Sequence, residues 1–210
     1  MVAPEAQIVP LKTCNALGDC RSAHSVMALM SLLGPPYNGK VIVSNSNGGP
    51  VDDRTVFELL RQPELIDPRR FLMVASAGNQ GVAVTHYPAS YAPGALPPGS
   101  LPNVVSVGAF GQGGAGGYEA ALFNTAANFE ILGPGINVCP ASATIFRCSA
   151  GAVYPDNLGL SGTSHAAPFV AAVAALYAEA RPGQNLRGLL MTSVKADVPG
   201  SAVGRVQFVP

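Results

Sequence analysis

Three short, almost purely apolar runs constrain this chain more than anything else in it: Val41-Ile42-Val43, Phe71-Leu72-Met73-Val74-Ala75 and Val104-Val105-Ser106-Val107. A strand with one wet face alternates apolar and polar residues, so runs of this kind belong to strands covered on both sides. The pattern predicts strands over 7–11, 40–44, 71–75 and 104–107, and helices over 23–33, 56–61 and 168–180. Strands separated by helices at this spacing give an α/β fold: three layers around a mostly parallel central sheet. Gly-rich turns follow the runs, at the carboxyl ends of strands, where open α/β sheets place their ligand sites.

Composition narrows the function classes. Twelve Lys and Arg balance twelve Asp and Glu, so no net charge draws the chain to nucleic acid or to an acidic membrane surface. Charged residues are only 11% and hydrophobic residues 48%, which excludes a charge-driven disordered chain. The apolar stretch 166–178 falls short of the roughly 18 residues a bilayer span requires. No basic leader or long apolar segment opens the chain, so no export signal is expected within it. At 210 residues one domain over 1–210 is the expectation. The cysteines form two close pairs, Cys14 with Cys20 and Cys139 with Cys148. Neither has zinc-knuckle or Cys-x-x-Cys spacing, and either two local disulfides or four thiols fit. Of the two disulfides, Cys139–Cys148 is the one expected, because the surrounding Gly- and Ser-rich loop needs a tether.

The most informative helix opens with Gly162-Thr163-Ser164-His165-Ala166-Ala167-Pro168 and closes at Arg181-Pro182-Gly183. Proline is tolerated near a helix start, so the helix must begin close to Ser164. That serine then sits at the positive end of the helix dipole among unpaired backbone N–H groups. Its alanines let the helix lie deep in the protein. A serine there is either a cap or a nucleophile with an oxyanion donor beside it.

The seven-residue block resembles the serine block of subtilisin-like serine peptidases, and the order of other segments agrees with that family. Phe71 to Gly81 is similar to the strand and Ala-Gly-Asn-x-Gly turn whose asparagine, here Asn79, donates to the oxyanion. Val41 to Pro50 resembles the family's substrate-pairing strand, and 87–91, 103–109, 121–124 and 133–138 resemble successive segments. The resemblance implies a subtilisin-like α/β fold and a serine endopeptidase acting on polypeptides. Ser164 would be the nucleophile and Asn79 an oxyanion donor. Ser46, Asn47 and Gly48 on one side, and Ser76, Ala77 and Gly78 on the other, would flank the substrate's side-chain slot; their small side chains imply an open slot and hence a preference for medium or large apolar residues. No cofactor and no metal are expected, and neither nucleic acid nor membrane as partner. A secreted or periplasmic location is the family-level expectation, compatible with paired cysteines.

The resemblance also shows a gap. The family's Asp-x-Gly and His-Gly-Thr-His motifs, which carry the catalytic aspartate and histidine, do not occur. Residues 1–12 resemble the strand that follows the catalytic-histidine helix. The expectation is therefore an N-terminally truncated catalytic domain whose upstream segment supplies Asp and His, and a chain that is inactive alone. His24 could substitute as base only against the segment order, His165 is held awkwardly beside Ser164 on the helix, and His86 reads as a loop residue. Asp19, Asp52, Asp53 and Asp156 read as turn or cap residues. A different class remains: a pseudoprotease or peptide-binding module keeping the groove. The pattern Gly111-x-Gly113-x-x-Gly116, with Glu130 nineteen residues beyond Gly111, offers a weaker dinucleotide-binding alternative.

Overall fold

The computed structural model describes residues 2–34, 37, 39–94, 100–113, 116–124, 129–138, 161–199 and 201–209. Its centre is a sheet of β1 (Val41–Asn45), β2 (Phe71–Ser76), β3 (Val104–Gln112), β4 (Tyr118–Ala120) and β5 (Ile131–Pro134). β1, β2 and β3 lie side by side in parallel; β5 continues parallel to the later part of β3, and β4 folds back antiparallel on its end.

Alternation along β2 shows why its sequence is apolar throughout. Leu72 and Val74 face a core shared with the long helix α4 (Thr163–Ala180) and with α5 (Leu186–Thr192). Phe71, Met73 and Ala75 face the opposite core, made with α1 (Ser22–Met30), α2 (Arg54–Leu60) and α3 (Pro63–Ile66). All six residues of β2 are buried. The result is the three-layer α/β arrangement expected from the apolar runs.

Local chemistry sets the helix ends. Asp53 caps α2, its carboxylate accepting from the Thr55 and Val56 backbone N–H groups at 3.2 Å. Asn103 is wholly buried and donates to the carbonyls of Leu60 and Leu65, closing α2 and α3 against the start of β3. At the far end of α4, the Lys40 ammonium donates to the carbonyls of Ala178 and Arg181, which favours the negative end of the dipole. The carboxylate of Glu130 accepts from the backbone of Gly94 and Ser106 and pairs with Arg187 of α5.

Two expectations are corrected, and two further readings meet the structure. Residues 7–11 form no strand; they are exposed and unpaired, and a cleft of about 1570 Å³ lies between them and β1. β1 is consequently an edge strand, with Val41, Ile42 and Val43 half-buried instead of covered on both faces. Gly111 of the Gly111 to Gly116 pattern lies at the end of β3, and the next described element is the antiparallel strand β4 and not a helix. Gly113 N–H donates to the Gly117 carbonyl and Glu130 is engaged with Arg187, so the described residues of this pattern do not form the strand-to-helix turn of a dinucleotide site. The disulfide observed is Cys14–Cys20, with Cα atoms 4.0 Å apart; Cys139 and Cys148 lie outside the described residues, as does Asp156. No described helix is long and apolar enough to cross a membrane.

Candidate active site

The first turn of α4 projects from the carboxyl end of the sheet. Its approach is close because β5 and the segment after it carry glycines: a Cβ on Gly133 would stand 2.7 Å from the Ala166 carbonyl oxygen, nearer than packed atoms come. Gly162 N–H donates to the Gly135 carbonyl at 2.8 Å, and Gly135 N–H donates to that of Phe110. The helix mouth is thus bolted to β3 by backbone alone.

Gly162, the N-cap of α4, has no side chain with which to satisfy the free N–H groups. Asn79, on the turn after β2, takes over. Its Oδ1 accepts both the Thr163 backbone N–H and the Thr163 hydroxyl, each at 2.9 Å. The same hydroxyl accepts the Gly78 N–H at 3.2 Å. With Oδ1 fixed on Thr163, the amide Nδ2 of Asn79 lies over Gly162, 3.2 Å from where a Cβ there would stand. A donor of fixed direction is therefore held at the mouth of α4. Ser164, half-buried, is the second residue of the helix, and its backbone N–H has no carbonyl four residues back within the helix to bind.

Pro168 adds a link that the sequence concealed. It stands four residues after Ser164 and has no N–H, so the Ser164 carbonyl loses its helical partner. The Ser46 hydroxyl donates to that carbonyl at 3.0 Å. The segment after β1 is thereby tied to the serine turn. Beside it, Asn47 donates to the Thr13 hydroxyl and its carbonyl accepts from Asn45, so the same segment is held to the N-terminal loop.

The structure brings Ser164, Asn79, Ser46 and Gly78 into one corner through these bonds. The two expected walls differ: Ser46 and Gly48 are exposed, whereas Ser76, Ala77 and Gly78 are buried. Ala77 N–H continues the sheet by donating to Val107. The gap between the walls, expected to be open, holds His86. Two contributors escaped the sequence reading. Thr163 belongs to the quoted block but its hydroxyl, wholly buried, orients Asn79; His86 was read as a loop residue and is 8% exposed.

His165 follows Ser164 on the first turn of α4, whereas His24 lies elsewhere. His24 on α1 has Nδ1 3.2 Å from the Thr13 carbonyl oxygen, beside the Cys14–Cys20 loop. Asp19 accepts from Asn15, and Asp52 accepts the Tyr91 hydroxyl. Among the described residues no imidazole or carboxylate hydrogen-bonds the Ser164 hydroxyl, and no group of three His, Cys, Asp or Glu side chains could hold a metal ion.

A model of the subtilase family matches residues 1–205. The chain belongs to the subtilase family. It is 30% identical over 181 residues to subtilisin BL of Lederbergia lenta, covering 86% of this chain and 56% of that protein. M-protease of Shouchella clausii is 29% identical over the same length, with 40% of that protein covered. The chain thus spans about half the length of these relatives. In shape it matches a cold-adapted subtilisin-like serine proteinase with a TM-score of 0.69 at 19% identity, over 99% of this chain and 67% of that one.

Proposed function

We propose that this chain carries the nucleophile and oxyanion hole of a serine endopeptidase. The observation that carries the reading is the Asn79 amide, pinned by Thr163 so that Nδ2 faces the mouth of the helix bearing Ser164. A cap needs one acceptor on the helix N–H groups; it does not need a second, outward donor.

In this reading the Ser164 hydroxyl oxygen bonds to the scissile carbonyl carbon as its proton passes to a histidine base. The carbonyl oxygen gains the negative charge between the Ser164 N–H and Asn79 Nδ2. Collapse of that intermediate breaks the C–N bond, the amine leaving with the proton from the base, and water then hydrolyses the acyl-serine by the same route. The polypeptide chain pairs with the segment after β1.

The base and its orienting carboxylate come from polypeptide outside these residues. Two observations support that arrangement. Among the described residues no strand pairs with the outer edge of β1, and the adjoining cleft has apolar walls in Ile8, Leu11, Val43 and Ala175, the surroundings a further strand requires. The cleft also reaches Ser46, which is bonded to the serine turn. A non-cytosolic, oxidising location is consistent with the Cys14–Cys20 disulfide.

The test is hydrolysis of casein and of a peptide anilide by the full-length protein and by the 210-residue chain. Turnover by the full-length protein that Ser164→Ala abolishes supports the reading, with no Ser164-dependent turnover by the chain alone. Peptide binding without Ser164-dependent turnover in either form would instead assign a binding module.

A further inference from the structure

The gap between the segments that follow β1 and β2 is filled by a side chain. The His86 imidazole lies against both glycines that face the gap: a Cβ on Gly48 would be 2.5 Å from Nε2, and one on Gly78 would be 2.9 Å from Cγ and Nδ1. Its backbone cannot easily withdraw. Gly49 and Tyr87 exchange two backbone hydrogen bonds, at 3.1 and 2.8 Å. Ser90 accepts the His86 N–H through its hydroxyl and returns its own N–H to the His86 carbonyl. The ring is thus a fixed plug. It is a polar one, since Nδ1 is buried without a hydrogen-bond partner among the described residues. Leaving such an atom unpaired is costly, so a ligand hydroxyl that reached it would be favoured.

We propose that His86 sets the depth of the slot that receives the substrate residue preceding the scissile bond, so that the site takes peptides with a small residue there: glycine, alanine or serine. The proposal rests on the peptidase reading, because it is Ser164 and Asn79 that define which bond lies beside the slot. Gly48 and Gly78 supply walls without side chains; the imidazole takes the volume they leave. A leucine or phenylalanine side chain would have to displace a ring locked by the Gly49–Tyr87 and His86–Ser90 bonds. Burial also lowers the His86 pKa, which keeps the ring neutral and compatible with an apolar occupant.

The experiment compares peptides differing only at that residue, Ala, Ser, Leu or Phe, with the full-length enzyme and its His86→Gly and His86→Ala variants. Two readouts are taken: kcat/KM for the anilides, and Kd of the matching product peptides, free carboxylates, for Ser164→Ala protein. The native protein is expected to favour Ala and Ser over Phe by about tenfold or more in both, and His86→Gly to raise the Phe value by about 10- to 200-fold, the range one or a few methylenes command in a pocket. Added imidazole should suppress Phe but not Ala turnover by His86→Gly, because it refills the slot. Native protein that handles Phe as well as Ala, or a His86→Gly protein that folds and keeps the native ranking, overturns the proposal. If neither variant folds, the native ranking alone decides. Absence of turnover with an intact Ala-over-Phe binding preference counts against the peptidase reading and leaves the slot assignment supported.

Discussion

The centre of the parallel sheet and its β1 edge are finished to different degrees. On the side of β2 and β3, strands, α4 and α5 interlock with residues wholly buried, and the corner beside Ser164 is assembled from backbone and a pinned amide. On the side of β1, apolar residues stay half-buried beside a cleft, and residues 7–11 stand away from the edge. The difference teaches that the corner we propose as the oxyanion site is built on the closed side of the sheet. In the proposed reading, the polypeptide that brings the base adjoins the open side. Ser46 marks the seam, since it follows β1 and bonds the serine turn.

Ile42 and Leu72 allow this contrast to be measured directly, because they are register partners on neighbouring strands. Leu72 is wholly buried, whereas Ile42 is half-buried at the edge. Leu72→Ala should cost about 4 kcal/mol and Ile42→Ala about 2 kcal/mol or less, from lost burial and the cavity left behind. Urea unfolding of both variants checks the gap. Equal costs would mean that the edge is covered in solution. In a longer protein whose extra polypeptide fills the cleft, the Ile42 cost should rise towards that of Leu72.

A second comparison sets the Glu130–Arg187 pair within the closed region. The Glu130 side chain is 5% exposed and that of Arg187 21%. Arg187→Ala leaves a buried carboxylate with backbone donors alone, and should cost about 3 kcal/mol. Arg187→Ala with Glu130→Gln should recover part of that loss in the same unfolding assay. No recovery would show that the charge is not the cause.

The closed half was largely legible in the sequence, and for a simple reason. Apolar runs such as 71–75 have one physical solution, a doubly covered strand, and the Ala-rich helix with its proline and its Arg-Pro-Gly stop has few alternatives. Short elements were not legible: Ile131–Pro134 is four residues ending in Gly-Pro, and Leu186–Thr192 carries Gly188 in its middle. The strand reading of 7–11 failed because a strand needs a partner, which no local pattern reports. At the site, Ser164 and Asn79 could be singled out from their motifs. The Ser46 bond, the Thr163 hydroxyl and the His86 plug could not, since each depends on a contact across 38 residues or more, as with Gly48 and His86, which only folding creates.

The smallest effect sharpens the contrast by pH. Burial lowers the His86 pKa from its ordinary value of 6.5. The unfolded chain therefore binds more protons than the folded one as pH falls through 6.5, so stability is full above that value and declines below it. In His86→Ala this part of the decline should vanish. Unfolding midpoints at pH 7.5 and 5.5 for both proteins test it, and an unchanged slope would place the ring in contact with solvent.

The central claim is that Asn79 acts on the charge that develops during reaction. Its most direct test is kcat and KM of the full-length enzyme and its Asn79→Ala variant on one peptide anilide. The account predicts a kcat lower by about 10²–10³, a magnitude known for such donors in the subtilisin family itself, with KM nearly unchanged. Equal kcat for the two proteins would contradict it.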